Sequence, residues 1–217
     1  MKRTTVVVLW SGECSTASRQ PVPMSDVAKA ELCRYLQEGR DAMVWKLAGL
    51  SDYDLRRPLT STATNLLGLV KHLAGIEAAY FGAVFERPFP ENHSWMATDA
   101  SANADMWATP EESSVEIVAL YKRVWAHADA TISELPMDAA GQVPWWREAS
   151  NPVSLTRILV HVTAETMRHV GHADIVRELI DGSVGHRDDN DNMAEGNPAW
   201  WRSYRETLET VARSFRD

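Results

Sequence analysis

The stretch "HVTAETMRHVGHADIVRE", His161 to Glu178, decides how this chain is read. Three histidines and a glutamate fall among its first twelve residues, on a segment whose apolar positions repeat like those of a buried helix. An α-helix advances about 100° per residue, so with His161 at zero Glu165 falls at about 40°, His169 at about 80° and His172 at about 20°. All four therefore share an arc of roughly 80°. Leu155, Ile158, Leu159 and Val162 surround that arc with apolar surface. The ionisable stripe points into a helical bundle or along its edge, where it needs a chemical reason to be.

One other histidine is set in a strongly apolar helix pattern. His72, in "NLLGLVKHLAGIE", sits between Leu69 and Leu73 and shares a face with Ile76. Alone, such a histidine is usually a hydrogen-bonded core residue. With Glu165 and His169, four apart on one helix, it makes a third ligand from a neighbouring helix. Two histidines and one carboxylate hold a divalent metal and leave positions open, as a reactive site requires. Bundle cores commonly carry such sites. His161 with Glu165 is an alternative pair at the same spacing, and the remaining histidines then serve as outer hydrogen-bond partners. A metal-free reading also exists: a polar network, or ion pairs from the stripe to Arg157, Arg168 and Arg177.

The rest of the chain is read as helices. Ser25 and Asp26 cap a helix to about Ala48, followed by an irregular linker at "GLSDYDLRRPL". A second helix begins at Thr62–Asn65. The segment from Glu86 to Glu112 has no period and far exceeds the usual connection between bundle helices, so it reads as a crossover joining two parallel helices. Trp95 and Trp107 are expected to pin it to the bundle. Thr109-Pro110-Glu111-Glu112 has the pattern of a capping box for a third helix, ending near Leu135. A fourth runs from about Ser154 to Ile180 and stops at Asp181-Gly182, and Asn197-Pro198 opens a C-terminal helix. The expected fold is all-α: a four-helix bundle with a long crossover between helices 2 and 3, plus a C-terminal helix. Residues 1–23 read as a flexible extension, with a short edge strand at Val6–Leu9 as the alternative, and residues 24–217 as the bundle domain.

Composition narrows the partners. A net charge of −8 argues against nonspecific binding to nucleic acid or anionic membrane, and no window is apolar enough to span a bilayer. The two cysteines, Cys14 and Cys33, form no CxxC pair, which disfavours a disulfide framework and fits a cytoplasmic location. The loop "VPWWREASNP" precedes the ligand helix. Trp145 and Trp146 there either stack on a substrate or cover the end of the bundle, and Arg147 can take a carboxylate.

On "NLLGLVKHLAGIE" and "HVTAETMRHVGHADIVRELIDG" together, the chain resembles the DinB/YfiT-like metalloenzyme superfamily, in the branch common in actinobacteria. The resemblance covers roughly residues 25–182. It implies a four-helix bundle holding a divalent metal on His72, Glu165 and His169. Many members have histidine at both later positions; here the first is Glu165, as in the related mycothiol-dependent maleylpyruvate isomerases. His161 and His172 become outer or substrate-facing residues. The resemblance further implies a low-molecular-weight thiol as co-substrate, a small-molecule electrophile as partner, and transfer or isomerisation chemistry. It also leaves room for a homodimer. Zinc suits the imidazole and carboxylate donors, with nickel, iron and manganese as alternatives. A metal-dependent hydrolase using activated water and a non-enzymatic, stress-associated ligand-binding bundle are the competing readings.

Overall fold

A computed structural model describes residues 24–216. The expected N-terminal extension, its alternative strand and Cys14 lie outside these residues. The main helices are α1 (Met24–Trp45), α2 (Asp52–Arg56), α3 (Leu66–Glu77), α4 (Ser114–Glu134), α5 (Leu155–Asp181) and α6 (Pro198–Arg213). A two-residue antiparallel ladder, β1 (Ala140–Gly141) with β2 (Val153–Ser154), ties the α4–α5 connection before α5 begins. The protein is an all-α bundle, and no helix among the described residues is long and apolar enough to cross a membrane.

Contacts between the helices fix their directions. Lys71 near the start of α3 pairs with Glu112 just before α4, and Gly82 beyond α3 lies against His127 of α4. Later residues thus meet later residues, and α3 and α4 run parallel. Gly39 faces Thr166 and Lys46 pairs with Asp174, so α1 and α5 are also parallel. His72 faces Glu165 and His169 while Tyr80 faces His161, so α3 and α5 are antiparallel. The residues from Glu86 to Ser113 are therefore the crossover that a parallel α3–α4 pair demands.

Apolar residues form two clusters at opposite ends. Met43, Leu66, Leu73, Tyr121 and Val170 belong to one; Leu36, Phe81, Ile132, Leu155 and Leu159 to the other. At the join lies a buried ionic layer. Arg40 bonds Glu77 through Nη2 at 2.5 Å and Asp129 through Nη1 at 2.8 Å, and Glu77 is fully buried.

Several local expectations need correction. Ser25 and Asp26 lie inside the first turn of α1, which begins at Met24. The supposed linker contains α2, capped by Ser51, whose hydroxyl accepts from Asp54 N–H. The capping box at Thr109 forms only half: the Glu112 carboxylate accepts from Thr109 N–H at 2.8 Å, but it is also held by Lys71. The single turn does not propagate, and α4 starts four residues later under Ser113. The second helix loses its α period after Glu77, passing through a π-turn at Ala78–Gly82 and a 3-10 turn at Ala83–Phe85. The ends of α5 match: Ser154 caps its start, and Gly182 takes φ 80°, a left-handed conformation glycine adopts without a Cβ penalty. α6 is exposed along its length and carries a stripe of Trp200, Tyr204, Leu208 and Val211.

Candidate metal centre

Asn65 begins the construction of the site. Its side chain caps α3 by accepting from Gly68 N–H at 2.8 Å, and its amide donates to the Met106 carbonyl at 3.1 Å. Gly68 lets that crossover strand come close: a Cβ there would stand 1.8 Å from the Met106 carbonyl oxygen. Asp105, the next residue back, is thereby set against His72, one turn along α3 from Gly68. Asp105 Oδ2 lies 2.6 Å from His72 Nδ1. In a neutral ring, a proton on Nδ1 donating to this carboxylate leaves Nε2 with a free lone pair.

That lone pair faces α5. His72 Nε2 stands 4.0 Å from Glu165 Oε1, and His169 Nε2 stands 3.1 Å from the same oxygen. One donor atom from each of His72, Glu165 and His169 lies within 4.8 Å of the others. Ligands of one tetrahedral zinc ion are about 3.3 Å apart, given bonds of about 2.0–2.1 Å. The spacing fits a single ion with little rearrangement. His172 places Nδ1 3.3 Å from His169 Nδ1, so it can hold that ring as Asp105 holds His72.

The charge balance points the same way. Among the described residues neither Glu165 nor Asp105 pairs with a lysine or arginine; their ionic partners are histidines. The three arginines of the metal-free reading are used elsewhere or stand apart. Arg157 stacks over Trp146 and donates to the Ser150 carbonyl. Arg177 donates to Asp181 and to the Lys46 and Ala48 carbonyls, and it is buried. Arg168 is exposed and forms no ion pair among these residues. Burial holds the His169 imidazole below its ordinary pKa, with His72 adding to the effect and Glu165 opposing it. Burial also lowers His161, against the pull of Glu165. Both rings are therefore neutral near pH 7, the form in which imidazole binds metals.

His161 stands apart from the triad. Its ring packs 4.9 Å from Tyr80 and 5.0 Å from Trp146, centroid to centroid. Trp145 and Trp146 both donate indole N–H to the Tyr80 hydroxyl, each at 3.1 Å. Arg147 is exposed, and its guanidinium has no hydrogen bond or ion pair among the described residues. In the crossover, Trp95 packs on the core beneath Lys71, whereas Trp107 is 51% exposed and is held through its carbonyl, by Lys71.

Sequence reasoning missed Asp105 and Tyr80. Asp105 is one carboxylate in an aperiodic loop, with no spacing to mark it. Tyr80 carries the helical period and reads as core, because the two indoles that bond it lie more than sixty residues away.

The sequence model of the mycothiol S-transferase family matches residues 31–182, well over half of the chain. A search of curated proteins finds no match.

Proposed function

Because the chain belongs to the mycothiol S-transferase family, a DinB/YfiT-like family, we propose that it is a metal-dependent enzyme joining a small thiol of the mycothiol type to a small electrophile. The observation that carries this reading is the convergence of His72, Glu165 and His169 beside Asp105, with neither carboxylate paired to a lysine or arginine among the described residues. These three residues would hold the ion, and zinc suits two neutral imidazoles and a carboxylate. A divalent ion at this position supplies acidity to a thiol, so that the sulfur is present as thiolate at neutral pH. The protein's own groups do the rest. Asp105 and His172 fix the two rings through their Nδ1 atoms, so that both Nε2 lone pairs face Glu165. The crossover and Trp145 wall a cleft that reaches Asp105.

The test uses full-length, zinc-loaded protein and 1-chloro-2,4-dinitrobenzene, with and without mycothiol. Conjugate formation should require the thiol and disappear in His169→Ala. Turnover that proceeds equally without thiol would sink the transferase reading in favour of an activated-water hydrolase.

A further inference from the structure

We infer that α6 pairs with α6 of a second copy of this chain, along a seam of Trp201, Tyr204, Leu208, Val211 and Phe215. The family match ends at residue 182, so α6 lies beyond the part of the chain that the family's bundle accounts for. Its start is well defined. Asn197 accepts from the N–H groups of Ala199 and Trp200, and Pro198 stands in the first turn. Yet none of its 16 residues is buried. A lone helix of this length, rich in aromatic and β-branched residues, is marginal in water, and most helical stability comes from burying an apolar face. Among the described residues nothing covers that face of α6.

The spacing of the seam points to its cover. Its five residues are separated by three, four, three and four positions. That alternation is the 3.5-residue repeat with which two helices wind on each other. Beside the seam stand Trp200, Arg205, Thr207, Ala212 and Ser214, so two seams meet with one charge near each. Arg202, Glu206, Glu209 and Arg213 lie on the opposite face, where Arg213 pairs with Glu209. A lipid surface would favour a basic polar face. Here glutamates alternate with the arginines, in a chain of net charge −8.

The area is sufficient for a reversible dimer. Trp200, Tyr204, Leu208, Val211 and Phe215 are between 42% and 81% exposed. With about 150–250 Å² for a whole aromatic side chain, these fractions leave roughly 500 Å² open per copy. A pair therefore buries roughly 1,000 Å², the lower bound of a specific interface. Trp201, Tyr204 and Leu208 also line a cleft of about 530 Å³ with Val184 and Met193 of the same chain. That loop stands off from the seam and leaves room for the side chains of a second helix.

Sedimentation equilibrium of the full-length, zinc-loaded protein over about 1–100 µM tests the pairing, because an interface of this size should be half dissociated within that range. Leu208→Arg places a charge in the middle of the seam and should raise the dissociation constant at least about tenfold. Thr210→Arg adds the same charge away from the seam and should leave it unchanged. If Leu208→Arg melts early by circular dichroism, Val211→Arg takes its place. A wild type that is still monomeric at the top of the range overturns the pairing. So does a dimer that the seam variant leaves intact, or that Thr210→Arg weakens equally. For such a monomer, flotation with phosphatidylglycerol vesicles would assign the face to lipid. Slow hydrogen exchange of the α6 amides without vesicles would assign it to a cover within the chain. No thiol and no turnover enter the measurement, so failure of the transferase reading would leave the result standing.

Discussion

Arg40 and Glu77 bury opposite charges against each other, whereas Glu165 and Asp105 gather histidines and meet no lysine or arginine. Both groups draw on α3, through Glu77 in one and His72 in the other, so location alone does not separate them. Completeness does. Burial pushes the Glu77 carboxyl up from its ordinary range, but Arg40 opposes it with three hydrogen bonds and is in turn held by Asp129 and Gln37. Every nitrogen of the Arg40 guanidinium donates to an acceptor in that layer. In the other group two carboxylates and the Nε2 atoms of two imidazoles share one small space, with no lysine or arginine among the described residues to balance them.

Removing a partner from the closed layer should have the larger effect on folding. Glu77→Ala leaves Arg40, 1% exposed, with partners on Nη1 alone and none on Nε or Nη2, and should cost about 3–5 kcal/mol in urea unfolding. Measured in chelator, that loss is independent of metal, and zinc stoichiometry of the folded variant should be unchanged. If Glu77→Ala abolished zinc binding while folded, the two groups would be one coupled network and the contrast would fail.

His169→Ala should behave in the opposite way. No buried counter-charge is stranded, so stability in chelator should change by less than about 1 kcal/mol. Zinc affinity, measured by chelator competition, should fall by more than about 100-fold, beyond the usual effect of losing an outer partner. A variant that retained full affinity would remove His169 from the ligand set.

Asp105→Asn tests the outer shell and should be milder, with zinc affinity down about 10-fold. The amide can still accept from His72 Nδ1, but it no longer supplies charge. An unchanged affinity would mean that the 2.6 Å contact orients the crossover and not the ring.

These expectations also mark what was legible in the sequence. The helical period gave the bundle, because 3.6-residue repeats and caps such as Ser154 and Asn65 are local signals. The Glu165–His169 pair was legible for the same reason: four residues on one helix share a face whatever the tertiary fold. His72 needed a second helix, yet its apolar setting made it conspicuous. Asp105 was not legible, because its position depends on Gly68 admitting the Met106 carbonyl to α3, a contact without a sequence period. Arg40 and Glu77 were missed since each reads singly as a surface charge, and only the crossing of α1 with α3 makes them partners. The false start at Thr109 shows the reverse case. The local pattern was present, but only its Glu112 half formed, and the helix waited for Ser113.

Arg177 and Asp181 stand between the two extremes and should give the smallest effect. Arg177 is buried, but it donates to the Lys46 and Ala48 carbonyls at the end of α1 as well as to Asp181. Hydrogen bonds from Arg177 hold the Asp181 carboxyl down to about 2, from an ordinary 3.8. A carboxyl lowered on folding contributes stability that is complete above its unfolded value and is lost as pH falls through its folded value. Asp181 is solvent-exposed, so that contribution should be under about 1 kcal/mol. Asp181→Asn should therefore be slightly less stable than wild type near neutral pH, with the gap closing between about pH 4 and pH 2 in urea titrations. Arg177 keeps its two carbonyl acceptors in the variant, which is why the loss stays small where Glu77→Ala does not. A loss as large as that of Glu77→Ala would show that Asp181, and not the α1 carbonyls, is what makes burial of Arg177 tolerable.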